Sequence, residues 1–478
     1  MKITLKEISH KVQNFFTDGI ESIARETKFV QRVSKLSGTI FLQALVFNSL
    51  EKPEMTLSSL TQSCLDQGVS ITEQGLDERI NDKSVEFLKR LFSQAMKRFQ
   101  TDNPIAIALL KQFSNVYLVD SSQISLPDSM AEQFPGSGGN SAAASLKIQL
   151  VFDYLHGHLE QVEFCNGCEP DQGYHGYHAL ITKGMLLLMD LGYFALDSLK
   201  LITEKEAYFL SRFQPQTAVL NLAGERLELT QLLAQQKSGK GEIEVLIGKR
   251  SQHQIPTRLI LLRLPQEAAD RQRQKAKDNA RRHGRSVTQA YLKLLDWALF
   301  ITNIPQSMLH TEHVATLYRL RWQIELVFKM CKSYCALDSI ASFRSQRILT
   351  ELYARLIGLV LTYFLLAPVR LPDGLPQNRE ISPTKVRLIF QRFARHFALA
   401  LHQPNRFRSL VADFFNHVRQ TGFTQKRRKR PSTLQLLILI SACYDWRGGA
   451  FDPFSFAFFA LSPLLVAYGY GKRPSEGY

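Results

Sequence analysis

Cysteine is scarce. Six cysteines among 478 residues are too few for the disulfide framework of a secreted scaffold and point to a reducing compartment. Long apolar runs are missing too. Residues 1–7 hold no apolar core of signal-peptide length. Residues 356–367 are apolar but fall short of the roughly 20 residues a membrane helix needs. The tail at 454–470 is interrupted by Ser455, Ser462, Pro463 and Gly469, so it reads as a buried hydrophobic segment. No membrane partner is expected. A nucleotide-binding P-loop is excluded as well: Gly136-Ser137-Gly138-Gly139 is not followed by Gly-Lys-Ser/Thr.

Acidic residues are the minority, 43 against 59 Lys plus Arg, giving a formal net charge of +16 and a pI near 9.5. That balance favours a polyanionic partner, nucleic acid before an anionic membrane. With 45% hydrophobic residues the chain can bury sizeable cores. Its length suggests about three domains of roughly 150 residues each.

Residues 1–100 read as helical, with apolar positions at Phe15, Ile20, Ile23, Phe29, Val33 and Leu36, then at Val85, Leu88, Leu91, Phe92 and Met96. Between them, 57–66, a turn at Gly68 and 71–80 look like a helix-turn-helix, with Ser70 and Glu73 as a capping box. Glu73, Asp77 and Glu78 on its second helix are awkward charges for reading a DNA groove; a plain helical pair fits them better. Strands are expected at 115–124, 146–155, 159–164 and 185–189, the second and third joined by His156-Gly157-His158. A short helix is expected at 173–183. Together these make a mixed α/β sheet. Residues 205–265 read as short strands of an all-β module, 266–285 as a charged helix, and 297–302 as another core strand. Beyond 340 the chain is helical again. There Arg387, Arg392, Arg395, Arg406 and Arg408 alternate with Phe390, Phe393, Phe397 and Phe407, and 426–430 form the densest basic run.

One stretch stands apart. Tyr318, Arg321, Glu325 and Lys332 recur at i, i+3, i+7 and i+14, within an arc of roughly 60° on a helix. Leu317, Leu320, Ile324, Leu326 and Val327 fill most of the remaining circumference. A polar stripe on so apolar a helix is costly to bury without a polar partner. A metal-bound phosphate is such a partner: the carboxylate holds the cation, and Arg, Lys and Tyr hold phosphate oxygens. Phosphodiester cleavage commonly uses two divalent cations about 3.5–4 Å apart, and their hard oxygen ligands suit Mg²⁺ or Mn²⁺. Asp120, after Val116-Tyr117-Leu118-Val119, and Asp190, after Leu186-Leu187-Leu188-Met189, are acids stranded at the ends of apolar strands. They are the candidate companions of Glu325.

These residues resemble the DDE insertion-sequence transposases of the Y-x2-R-x3-E-x6-K branch. Tyr318, Arg321, Glu325 and Lys332 match the signature, and Asp190-Leu191-Gly192-Tyr193-Phe194 looks like that family's second-aspartate motif. Segments 207–212 and 301–305 look like family segments too, and the resemblance spans roughly 25–370. It implies an RNase H-like mixed sheet with helices, an all-β insertion, and helical N- and C-terminal regions. The divisions expected are a DNA-binding region at 1–100, core at 101–204, insertion at 205–290, core again at 291–372, and a C-terminal dimerisation region at 373–478. In family terms Asp120, Asp190 and Glu325 are catalytic and hold two Mg²⁺ or Mn²⁺ ions. Tyr318, Arg321, Lys332 and Arg212 contact DNA, and Trp297 stacks on a flipped base. The implied partners are double-stranded DNA, as transposon ends and target, and a second copy of the chain, in the bacterial cytoplasm at the nucleoid.

Other readings stay open. Asp153 could replace Asp120. Cys165, Cys168, His175 and His178 have superficially zinc-like spacing. Trp297 could be ordinary core packing. A DNA-binding regulator, or a metal-dependent nuclease with the same three acids, would share much of this pattern.

Overall fold

The computed structural model describes residues 3–52, 54–102, 104–138, 142–249, 252–335, 342–370, 380–424, 431–441 and 443–444. The basic run at 426–430 and the aromatic tail from Phe451 onward lie outside them. The chain divides into two compact units: 1–106, 121–169 and 324–430 form the first, and 107–120, 170–323 and 431–478 the second.

The described strands are β1 (Val116–Leu126), β2 (Ala144–Asp153), β3 (His158–Asn166), β4 (Leu186–Met189), β5 (Tyr208–Arg212), β6 (Val219–Leu220), β7 (Arg226–Leu227), β8 (Lys240–Lys249), β9 (Gln252–Arg263) and β10 (Trp297–Thr302). In the second unit the strand order is β1-β4-β5-β10-β9-β8-β6-β7. β1, β4 and β5 run parallel, with Val119 beside Met189 and Met189 beside Ser211. β4 is buried along its whole length, as its unbroken apolar sequence requires for a strand covered on both faces. From β5 outward the pairing is antiparallel. In the first unit β2 and β3 form an antiparallel hairpin. The architecture is mixed α/β.

The described helices are α1 (Leu5–Thr17), α2 (Ile20–Glu26), α3 (Gly38–Glu51), α4 (Leu57–Leu65), α5 (Glu73–Asp77), α6 (Asp82–Arg98), α7 (Leu196–Glu204), α8 (Leu229–Gln235), α9 (Gln266–Arg282), α10 (Gln289–Leu294), α11 (Val314–Tyr318), α12 (Gln323–Cys335), α13 (Ser345–Leu366), α14 (Pro383–Ala400), α15 (Pro404–Thr421) and α16 (Thr433–Ser441). α1 opens on a capping box between Thr4 and Glu7, and α6 on one between Asn81 and Ser84. α13 packs on α3 and α6 in the first unit. With its 3-10 extension it is long and apolar enough to cross a membrane, but 94% of its apolar window is buried inside the structure. Glu351 in this helix receives Arg347 at 3.0 Å and Arg355 at 3.3 Å, so its buried charge is paired.

Several expectations are corrected. The helix expected at 71–80 is only the five-residue α5, capped by Thr72 and not by Ser70. At 1.5 Å per residue it extends about 8 Å, and Asp77 is tied to Arg344. Val33 is 94% exposed in a loop. The helix expected at 173–183 is two 3-10 turns, Asp171–Gly173 and Gly176–Leu180; two glycines cost an α-helix about 1 kcal/mol each there. The all-β module contains α8, and its first strand, β5, pairs directly with β4.

Candidate active site

The site in the second unit is built on one row of the parallel strands. One residue past the Val119–Met189–Ser211 row come Asp120, Asp190 and Arg212. All three therefore stand at the carboxyl ends of β4 and β5 and the matching point of β1, where open α/β sheets present ligand-binding groups. Phe300 on β10 pairs with Arg212.

The chain returns to this row through α11. Tyr318 is 5% exposed and rests edge-on against Phe300, ring centroids 5.2 Å apart. Its hydroxyl contacts the Met189 carbonyl at 3.2 Å and Asp190 Oδ1 at 3.4 Å. The next four residues, Arg319–Trp322, form a 3-10 turn and not a continuation of one α-helix. At three residues per turn, Tyr318 and Arg321 eclipse each other, and both side chains reach the end of β4. Arg321 Nη1 lies 3.2 Å from Asp120 Oδ2 and 4.0 Å from Asp190 Oδ2. The guanidinium is 7% exposed, against 19% for Asp120 and 43% for Asp190.

The stripe read from the sequence is thus split. Tyr318 and Arg321 are buried in the second unit. Glu325 and Lys332 belong to the first unit, on the exposed side of α12 with Leu326 and Lys329, while Ile324, Val327, Phe328, Met330 and Cys331 are buried. Among the described residues, no three His, Cys, Asp or Glu side chains converge as a metal ion would need. Asp120 and Asp190 share Arg321 instead. That ion-pair network was not foreseen; the only available signal was an Arg on a largely apolar helix.

Trp297 is half-buried at the start of β10, opposite Arg263. It lies about 10 Å along the strand from Phe300, at 3.4 Å per residue, beyond the end of β5. The neighbouring segment locks β10 to β5. Asn303 accepts from the Phe209 amide and donates to the Ala207 carbonyl, both at 2.8 Å, and Thr302 Oγ1 donates to the Phe209 carbonyl at 2.6 Å. Asp153 is accounted for by the β2–β3 turn. It is fully buried and accepts from the Leu155 and His156 amides and from His156 Nδ1 at 2.7 Å. Of the zinc-like set, His178 bonds to Ser198 at 2.9 Å and the Cys165 thiol to the Lys147 carbonyl at 3.8 Å.

A family model described as the transposase DDE domain matches residues 111–361, more than half of the chain. The chain belongs to the DDE transposase family. The transposase of insertion sequence element IS231F of Bacillus thuringiensis subsp. israelensis is 26% identical over 470 residues, covering 93% of this chain and 97% of that protein. The transposase of IS1151 of Clostridium perfringens is 25% identical over 478 residues, covering 92% and 98%. Among solved structures, the piggyBac transposase synaptic complex with hairpin DNA is similar at a TM-score of 0.45 and 11% identity, covering 89% of this chain and 86% of that one. The domain match encloses every site residue named above, from Asp120 to Lys332.

Proposed function

We propose that this DDE transposase is a cut-and-paste enzyme. It binds the terminal inverted repeats of its element, cleaves there through a hairpin, and joins the 3′ ends to target DNA. The observation that carries this reading is the row of Asp120 and Asp190 at neighbouring strand ends, faced by Arg321 and Tyr318. The strand pattern of the second unit, parallel β1, β4 and β5 followed by antiparallel β10, supports an RNase H-like core.

Two adjacent carboxylates, one of them nearly half exposed, are a donor set suited to hard divalent cations. Asp120, Asp190 and Glu325 would hold two Mg²⁺ or Mn²⁺ ions. When bound, the ions activate the attacking oxygen and neutralise the leaving one. Arg321, beside both aspartates, would bring its guanidinium to a DNA phosphate at the cut. Tyr318, Lys332 and Arg212 position further phosphate oxygens, and positive charge there stabilises the pentacovalent transition state. Trp297, at the rim beyond β5, stacks an unpaired base, a contact of about 1–3 kcal/mol. Residues 1–100 bind the element's ends, and residues 373–478 join two copies on DNA in the bacterial cytoplasm.

The test is incubation with a duplex carrying the element's terminal repeat and Mg²⁺ or Mn²⁺, scored for nicked, hairpin and joined products. Glu325→Gln and Asp190→Asn should remove all three while binding in EDTA persists. Undiminished cleavage by either variant overturns its assignment. Cleavage of any duplex without joining makes the protein a nuclease, and binding without cleavage makes it a regulator.

A further inference from the structure

α9 is an unusual helix for its position. It docks on the second unit by its first half: Ala268 and Ala269 are buried, and Arg273 bridges Asp296 and Asp270. From Gln274 onward every residue to Arg285 is exposed except Ala276 and Ala280, which are half-buried one turn apart and mark the inner side. The helix stops at Gly284, whose φ of +63° only glycine adopts freely. The Arg285 amide closes back on the Ala280 carbonyl at 2.8 Å.

This exposed end reads Lys275-Ala276-Lys277-Asp278-Asn279-Ala280-Arg281-Arg282-His283-Gly284-Arg285, with Lys275, Lys277, Arg281, Arg282 and Arg285 against Asp278 alone. Two bases in a last turn are explained by the helix dipole; five around the end of one helix are more than that needs. Helical spacing sets them in two rows. Lys277 and Arg281 follow one flank, Lys275 and Arg282 the other. The outward ridge between the rows carries Gln274 and Asp278, hydrogen-bonded to each other at 2.9 Å. An α-helix with side chains is about 10–12 Å across, and the major groove of B-DNA is about 12 Å wide.

We propose that the exposed end of α9 is a DNA-docking rib. It lies along the major groove of a duplex, with Lys277 and Arg281 on one phosphate backbone and Lys275 and Arg282 on the other. Arg285, turned back by the glycine cap, adds a further phosphate contact. The contacts are to phosphates and carry no sequence preference. Asp278 sits on the ridge, farthest from either backbone. The proposal shares with the transposase reading only the premise that DNA is the partner.

Full-length protein is titrated into a fluorescent mixed-sequence duplex lacking terminal repeats, over a series of salt concentrations. Lys275, Lys277, Arg281, Arg282 and Arg285 are replaced together by Gln, a good helix former. The comparison variant replaces five exposed lysines of the same unit, Lys111, Lys183, Lys200, Lys205 and Lys237, by Gln. Each phosphate contact contributes ~0.9 to the slope of log K against log salt. The α9 variant should lose ~3–4 from that slope and bind at least ~10-fold more weakly at moderate salt, while the comparison variant loses less than ~1. Equal circular dichroism melts establish that both variants fold. An unchanged slope in the α9 variant, or equal losses in both variants, overturns the rib and leaves the catalytic reading standing. No duplex binding by the unaltered protein overturns both.

Discussion

Arg321 Nη1 sits 3.2 Å from the Asp120 carboxylate, and the same nitrogen is 4.0 Å from Asp190. A largely buried guanidinium thus balances two acids that would otherwise repel. Replacing it by Met should destabilise the protein by about 2 kcal/mol near pH 8, less than a fully buried pair costs because both acids are partly exposed. Urea unfolding of Arg321→Met beside the unaltered protein checks this; an unchanged stability would sink the account.

Tyr318→Phe keeps the edge contact with Phe300 but removes the hydroxyl shared with Met189 and Asp190. The stability cost should be about 1 kcal/mol. Cleavage of terminal-repeat DNA should slow by roughly tenfold, a change worth ~1.4 kcal/mol in the barrier, if the hydroxyl also positions a phosphate. A variant with the same loss of stability and an undiminished rate would confine Tyr318 to packing.

Gly157 turns the β2–β3 hairpin at a φ of +82°, and a Cβ there would collide with the Arg370 guanidinium. Arg370 donates to the Tyr154 carbonyl at 3.1 Å and lies over the Phe152 and Tyr154 rings. Gly157→Ala therefore combines a left-handed backbone cost of about 1–2 kcal/mol with displacement of Arg370. The expected result is a loss of about 2–4 kcal/mol in denaturant unfolding. Restoration by a second change, Arg370→Ala, would be partial, because the backbone cost remains.

Two histidines should give stability profiles of opposite sign. The hydrogen bond that His156 Nδ1 donates to Asp153 holds the imidazole above its ordinary value despite partial burial. Its contribution is complete below about 6.5 and fades as pH rises through the raised folded value. Burial pushes His313 down to about 4, and its Nδ1 meets the Tyr444 hydroxyl at 2.8 Å. The unfolded chain takes up the proton first, so stability falls as pH drops from about 6.5 towards 4, by on the order of 3 kcal/mol. Melting temperature against pH for His156→Gln should lose the alkaline decline, and for His313→Gln the acidic one.

Much of the site could be read from the chain. Asp120 and Asp190 each follow four apolar residues, so their strand-end positions were legible, and strand pairing put them side by side. The turn at Arg319–Trp322 was not legible, since over four residues a period of 3.0 differs too little from 3.6 to show. Nor was the burial of Arg321, because a guanidinium paired with two acids looks, in sequence, like any arginine. The 3-10 turns at 171–180 and the shortness of α5 were missed for a common reason: spacing suggests a helix, but glycines and caps decide its length. The start of the insertion was obscured because β5, like the strands after it, is short and apolar, and only pairing distinguishes them.

The Asp120–Asp190–Arg212 row has a consequence for how this gene can vary. Successive strand residues face opposite sides, so removing or adding one codon among 186–189 would turn Asp190 to the far face of the sheet. Apolar exchanges within β4 need only preserve volume, but its length is held fixed. Insertions and deletions among functional copies should therefore be absent from this strand and collect in connections such as the β6–β7 turn at Gly224.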